Sequence, residues 1–111
     1  MGQVNTEDTF NALEIRDTSI HDGAVINLYD FQLKTIIIEN SLDQPVTFQC
    51  QGSAHDDFSN SFDINSTWDI PASTNAYQTC DSYFPYMRLV ATCDTAPTSG
   101  TITVIFVQYG V

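Results

Sequence analysis

Basic residues are nearly missing from this sequence. Three Lys and Arg stand against 14 Asp and Glu, for a formal net charge of -11. Nucleic-acid binding draws on Lys and Arg to displace counterions from phosphates. Arg16, Lys34 and Arg88 are too few for a basic stripe, so nucleic acid is not an expected partner. Anionic membrane surfaces are disfavoured on the same ground. Long apolar runs are also missing. The longest, at 35–38 and 102–107, fall far short of the ~20 residues of a spanning helix. The first ten residues have neither the basic start nor the apolar centre of a signal peptide. If Met1 is the true start, the chain is expected to be made in a cytoplasm. Release by lysis and residence in the cytosol are both open, and a secreted domain freed of a leader is a further option.

Cysteine is scarce and odd in number. Cys50, Cys80 and Cys93 cannot complete a disulfide framework within one chain. Buried or half-buried thiols are the preferred reading, with a Cys80–Cys93 bridge as the alternative. No Cys-x-x-Cys spacing occurs and the two His are isolated, so no zinc site is expected. Five Gly form no phosphate-cradling loop, and no cofactor is expected. Gly52-Ser53-Ala54-His55 lacks the Gly-x-Ser-x-Gly elbow. His21 beside Asp22, and His55 before Asp56 and Asp57, read as solvated turn residues, because a catalytic relay needs partners that meet in space. The many acids make any one carboxylate pair uninformative as a sign of glycoside hydrolysis. The chain therefore reads as no enzyme.

Asp63-Ile64-Asn65-Ser66-Thr67, near Asp56, Asp57 and Asp69, spaces oxygen side chains as a calcium loop would. Trp68 stands where an EF-hand needs Gly. The polar face of a strand produces the same spacing and is preferred, so no metal site is assigned. Asn65-Ser66-Thr67 is also a glycosylation sequon, of consequence only in a secretory setting.

What the chain does have is a core. Apolar residues make up 42% of its 111 positions, with seven Phe, five Tyr and one Trp, which suits one domain and excludes an acidic disordered tail. Short β-type runs recur at 12–16, 24–29, 31–39, 46–51, 62–70, 76–80, 86–93 and 101–109, with turn signals between them. Val46, Phe48 and Cys50 alternate with Thr47, Gln49 and Gln51. No stretch keeps a helical period. The expected fold is all-β: a single antiparallel two-sheet β-sandwich of seven or eight strands, with jelly-roll and immunoglobulin-like connectivity both open. Residues 1–11 lack a core pattern and read as a flexible N-terminal arm, leaving 12–111 as the domain.

With no credible catalytic group, the surface must supply the function. Trp68, Tyr77, Tyr83, Phe84 and Tyr86 are candidate interface residues, since aromatic side chains often anchor contacts. Core filling competes with that role. Arg88, inside an apolar strand, is expected to pair with a carboxylate across a sheet or interface. The acidic surface repels itself and gains from screening. Adaptation to high salt and an ordinary acidic viral or secreted surface both fit it.

Four segments carry a family resemblance. They are Ile36-Ile37-Ile38-Glu39-Asn40-Ser41, Gln44-Pro45-Val46-Thr47-Phe48-Gln49, Phe84-Pro85-Tyr86-Met87-Arg88-Leu89 and Thr98-Ser99-Gly100-Thr101-Ile102-Thr103-Val104. They lie within the stretch 31–107, which resembles small β-sandwich structural proteins of head-tailed viruses, such as capsid decoration, turret and tail-associated modules. The motifs encode strand–turn–strand geometry and carry over no functional residue. The resemblance implies a virion protein that forms a symmetric homo-oligomer, a trimer before a pentamer, on viral capsid or tail proteins. With the acidic surface, it implies a salt-loving, archaeal host. The competing readings are a glycan- or host-surface-recognition module and a secreted or cell-surface sandwich domain.

Overall fold

The structure, a computed structural model, describes residues 4–29, 31–79 and 84–110. Within them are nine strands: β1 Val4–Leu13, β2 His21–Asp22, β3 Ile26–Asn27, β4 Phe31–Asn40, β5 Val46–Ser53, β6 Phe62–Ile70, β7 Asn75–Thr79, β8 Tyr86–Thr92 and β9 Ile102–Gly110. One sheet runs β1-β9-β4-β7 and the other β2-β8-β5-β6, with β3 also on β8. Every pairing is antiparallel. The all-β two-sheet sandwich expected from the alternating runs is thus present.

Strands β2 and β3 lie on the same side of β8 and act as one interrupted edge strand. Counted so, eight strands alternate between sheets in the order of a jelly roll, which decides the connectivity that the sequence left open. Successive strands mostly cross between the sheets rather than pair with their neighbours, β5 and β6 being the exception.

One expectation fails. Residues 4–11 are not an arm: they belong to β1, which pairs with β9 from Val4↔Tyr109 to Leu13↔Ile102. The period is hidden by two register shifts, between Asp8 and Phe10 and between Phe10 and Leu13. An extra residue on one strand reverses which side chains face the core. As a result Thr9 and Phe10 are buried side by side in sequence, which no alternating pattern reveals.

The same device acts in β4. A shift between Leu33 and Thr35 sets the phase so that Leu33, Ile36 and Ile38 face inward, while Ile37 faces out. In β9, Ile102, Val104 and Phe106 point in. From the second sheet, Val46, Phe48, Ile70, Met87, Leu89 and Ala91 meet them. Ile15, Leu28 and Leu42 come from connectors and plug the ends of the sandwich. Among the described residues, every buried polar side-chain atom has a hydrogen-bond partner. Asn40 donates from Nδ2 to the Pro71 carbonyl at 2.9 Å and accepts the Leu42 N–H at Oδ1 at 3.0 Å. Gln108 donates to Glu7 at 3.4 Å.

Candidate functional site

The two outer faces of the sandwich differ in chemistry. Strand partners in register share a face. On the β2-β8-β5-β6 sheet the outer face is polar. Thr47 donates to Asp69 at 2.7 Å and Gln51 donates to Asp63 at 3.0 Å. These acids, read from sequence as a strand face or a calcium loop, thus stand on the polar face of β6 and are held by β5. Arg88 lies in the same layer. Its Nε donates to Gln51 at 2.9 Å, its Nη1 is 3.6 Å from an Asp22 carboxylate oxygen, and its guanidinium sits 4.5 Å from the centre of the Phe58 ring. The carboxylate partner expected for Arg88 is therefore Asp22, on the adjacent strand.

Phe58 reaches Arg88 from the 54–61 loop. Its φ of 58° is unusual for a bulky residue. The loop is held in that shape by Ser53, whose hydroxyl donates to the Ser59 carbonyl at 2.7 Å and accepts the His55 N–H at 3.0 Å. Asp57 accepts the Ser59 N–H at 3.0 Å. That bond, with the Ser59 hydroxyl and His55 nearby, holds the Asp57 carboxyl below its ordinary value.

On the β1-β9-β4-β7 sheet an apolar strip crosses an outer face that is otherwise rich in Thr. Tyr77 stands opposite Ile37, Ile37 opposite Ile105, and Ile105 opposite Asp8. The next row is Thr79, Thr35, Val107 and Thr6. Val4 and Tyr109 extend the patch at the far end and are exposed. Tyr77 has 73% of its surface exposed. An open depression of about 290 Å³ beside it is lined by Thr35, Ile37, Asn75, Ala76 and Tyr77. Among the described residues, the carboxylates on this face are Asp8, on the edge strand β1, and Glu39, near the end of β4. Contiguous apolar patches of this kind mark contact surfaces.

The structure separates the five candidate interface residues that it describes. Tyr77 alone among the described ones lies on this apolar face. Trp68 is half-buried at the sandwich margin, its ring 6.3 Å from that of Phe48. Phe84 packs on the core across Gly52, where a Cβ would fall 2.5 Å from its Cγ, and its ring is 6.2 Å from Phe62. Tyr86 meets Tyr29 edge-on at 5.5 Å. Arg88 is on the opposite, polar face. Tyr83, like Cys80 and its proposed bridge, lies outside the described residues. Cys93 is a buried free thiol, and burial, followed by the charges of Asp94 and Asp17, pushes its pKa up.

Three side chains that sequence reading kept apart meet at the surface. Asp17 Oδ1 lies 2.8 Å from His21 Nε2, and the Ser19 hydroxyl donates to the same Asp17 oxygen at 2.9 Å. A relay needs the carboxylate on one imidazole nitrogen and the hydroxyl on the other. Here both approach Nε2, and the hydroxyl is spent on the carboxylate. The group is a solvated turn staple, and its His21 and Ser19 bonds hold the Asp17 carboxyl below its ordinary value. The i, i+4 spacing of Asp17 and His21 was the available signal, overshadowed by the neighbouring Asp22.

The sequence matches no family model and none of the curated proteins. Among solved structures, the fold is similar to that of the crystal structure of PirA, with a TM-score of 0.59 and 15% identity over 95% of this chain and 91% of that one. A structure of infectious bursal disease virus Gx strain aligns with a TM-score of 0.48 and 9% identity, covering 99% of this chain and 38% of the viral one. What this chain shares with PirA over nearly its whole length is the two-sheet β fold.

Proposed function

We infer that this domain is a non-enzymatic structural protein of a virion that works by assembly and docking. The observation that carries the reading is the apolar strip on the outer face of the β1-β9-β4-β7 sheet. In a solvated sandwich that face is expected to be polar, as it is on the other sheet. Ile37, Ile105 and Val107, half-buried, instead form an apolar strip across it that ends on the exposed Tyr77. The jelly-roll order supports the reading at the level of architecture, since this fold serves capsid and lectin domains alike. A location in a capsid decoration, a turret or a tail belongs to the same proposal, with capsid or tail proteins as partners.

The test is whether tagged protein copurifies with intact particles from a culture that makes them, and whether Ile37→Lys abolishes this while the fold survives. Absence of the wild-type chain from particles would sink the proposal. A second reading, recognition of a glycan, is favoured by two exposed aromatic rings, Tyr29 at 64% and Phe62 at 63% exposure. Glycan-array binding lost on Tyr29→Ala and kept on Ile37→Lys would replace the first reading with the second.

A further inference from the structure

A sheet edge is a row of unpaired backbone donors and acceptors, and proteins blunt such edges with charge, bulges or brevity. Three of the four edges among the described residues are blunted. Strand β1 carries Glu7 and Asp8 and two register shifts. Strand β6 carries Asp63 and Asp69 and a shift opposite Phe48 and Cys50. Strands β2 and β3 are two residues each, with Asp22 in β2. Strand β7 has none of these devices. Its five residues, Asn75-Ala76-Tyr77-Gln78-Thr79, hold no charge and no Pro, and they pair with β4 over five successive positions without a shift. Four of the five are exposed.

We propose that β7 is a self-pairing edge: two copies of the chain join through antiparallel β7–β7 contact about a twofold axis at Tyr77. The occupant follows from charge. Two chains of net charge -11 can approach closely only where no carboxylate faces another, and β7 is the neutral edge. The register follows from the sequence of the strand. Centred on Tyr77, Asn75 faces Thr79 of the other copy, Ala76 faces Gln78, and Tyr77 faces itself. Polar side chains meet polar ones and the smallest meets the longest. The two four-stranded sheets then become one of eight. The row Ile105, Ile37, Tyr77 continues through the axis into its own copy, doubling the apolar face. An antiparallel twofold contact is isologous and closes on itself, so this edge builds a dimer and not the trimer that the viral resemblance implies. Five residues of edge make a small interface, so the dimer is weak, and it strengthens as salt screens the charge. The inference goes beyond the docking proposal and is tested without any particle.

The test is a disulfide scan in a Cys80→Ser background at high protein concentration and molar NaCl. Paired residues on antiparallel strands have Cα atoms ~4.5–5.5 Å apart, within the range a disulfide bridges. Tyr77→Cys is therefore expected to give a covalent dimer under mild oxidation. Thr79→Cys places its two copies about 14 Å apart and is expected to crosslink at least about tenfold more slowly. Both positions are exposed, so neither variant is expected to lose its fold, and circular dichroism confirms this. Sedimentation of the unmodified chain should show dimer growing with concentration and with NaCl. Equal crosslinking of the two variants would overturn the register. A strictly monomeric protein without a Tyr77→Cys crosslink would overturn the pairing, and would leave β7 as an edge for a foreign strand.

Discussion

Gly100→Ala is expected to be the most damaging single-methyl change in the molecule. Gly100 lies near the end of the 93–101 connection between β8 and β9, with a φ of 88°. An alanine Cβ there would lie 2.0 Å from the Ser41 carbonyl oxygen, a contact that only backbone movement relieves. What such movement would break is a clasp between the ends of β4 and β9. Ser41 N–H donates to the Thr101 carbonyl at 2.9 Å, and Thr101 N–H donates to the Ser41 hydroxyl at 2.9 Å. Left-handed backbone costs an L-residue about 1–2 kcal/mol. Losing two net hydrogen bonds costs about 1 kcal/mol each. The sum is about 3–4 kcal/mol, or roughly 12–24 °C in Tm for a domain of this size. Thermal and urea melts followed by circular dichroism would measure it, with an unchanged urea m value if only the native state suffers. Ser99→Ala is the control. Its side chain is exposed, and its carbonyl still accepts the Asp43 N–H, so it is expected to stay within about 0.5 kcal/mol of wild type. Ser41→Ala should cost about 1 kcal/mol and should not rescue Gly100→Ala, since the clash is with backbone. A Gly100→Ala protein that melts within ~3 °C of wild type would refute the argument.

Four further outcomes are expected. Deleting residues 1–11 removes Phe10 from the core and uncovers the edge of β9, so the remainder should be largely unfolded by near-UV circular dichroism; a native spectrum would mean β1 is dispensable. Arg88→Met should cost about 1–2 kcal/mol in urea unfolding, through the lost Phe58 stacking and Gln51 bond; a neutral result would show that the 54–61 loop stands without it. The carboxyls of Asp17, Asp43 and Asp57 are held below the ordinary 3.8, Asp43 by the Thr98 hydroxyl and N–H. Each therefore stabilises the fold above that value and loses its contribution as pH falls through the lowered one. Asp43→Asn should flatten the stability profile below pH ~4, and an unchanged profile would dismiss the Thr98 bond as its cause. Finally, Tm should rise from low to molar NaCl, because screening relieves a charge of -11; a flat response would remove self-repulsion as a factor.

The alternation of Val46, Phe48 and Cys50 against Thr47, Gln49 and Gln51 was enough to place β5, and the β-branched run at 102–107 was enough to place β9. Side chains there alternate without interruption, so period alone determines which face is buried. Composition likewise determined that one core could form. Where a bulge intervenes, period fails. Nothing in Thr9-Phe10 or in Ile36-Ile37-Ile38 states which residue turns outward, because the phase is set by pairing with β9, nearly the whole chain length away. That phase decides the site. It puts Ile37 beside Ile105 and Tyr77 on an open face, while the pairings of the other sheet set Trp68 and Phe84 against the core and Arg88 on the opposite face. Asp17, Ser19 and His21 were close enough in sequence to be seen, but which imidazole nitrogen they share is a matter of turn geometry. The same holds for strand β7: its neutrality is written in five residues, and its position at a sheet edge is decided only by the crossings of the other strands.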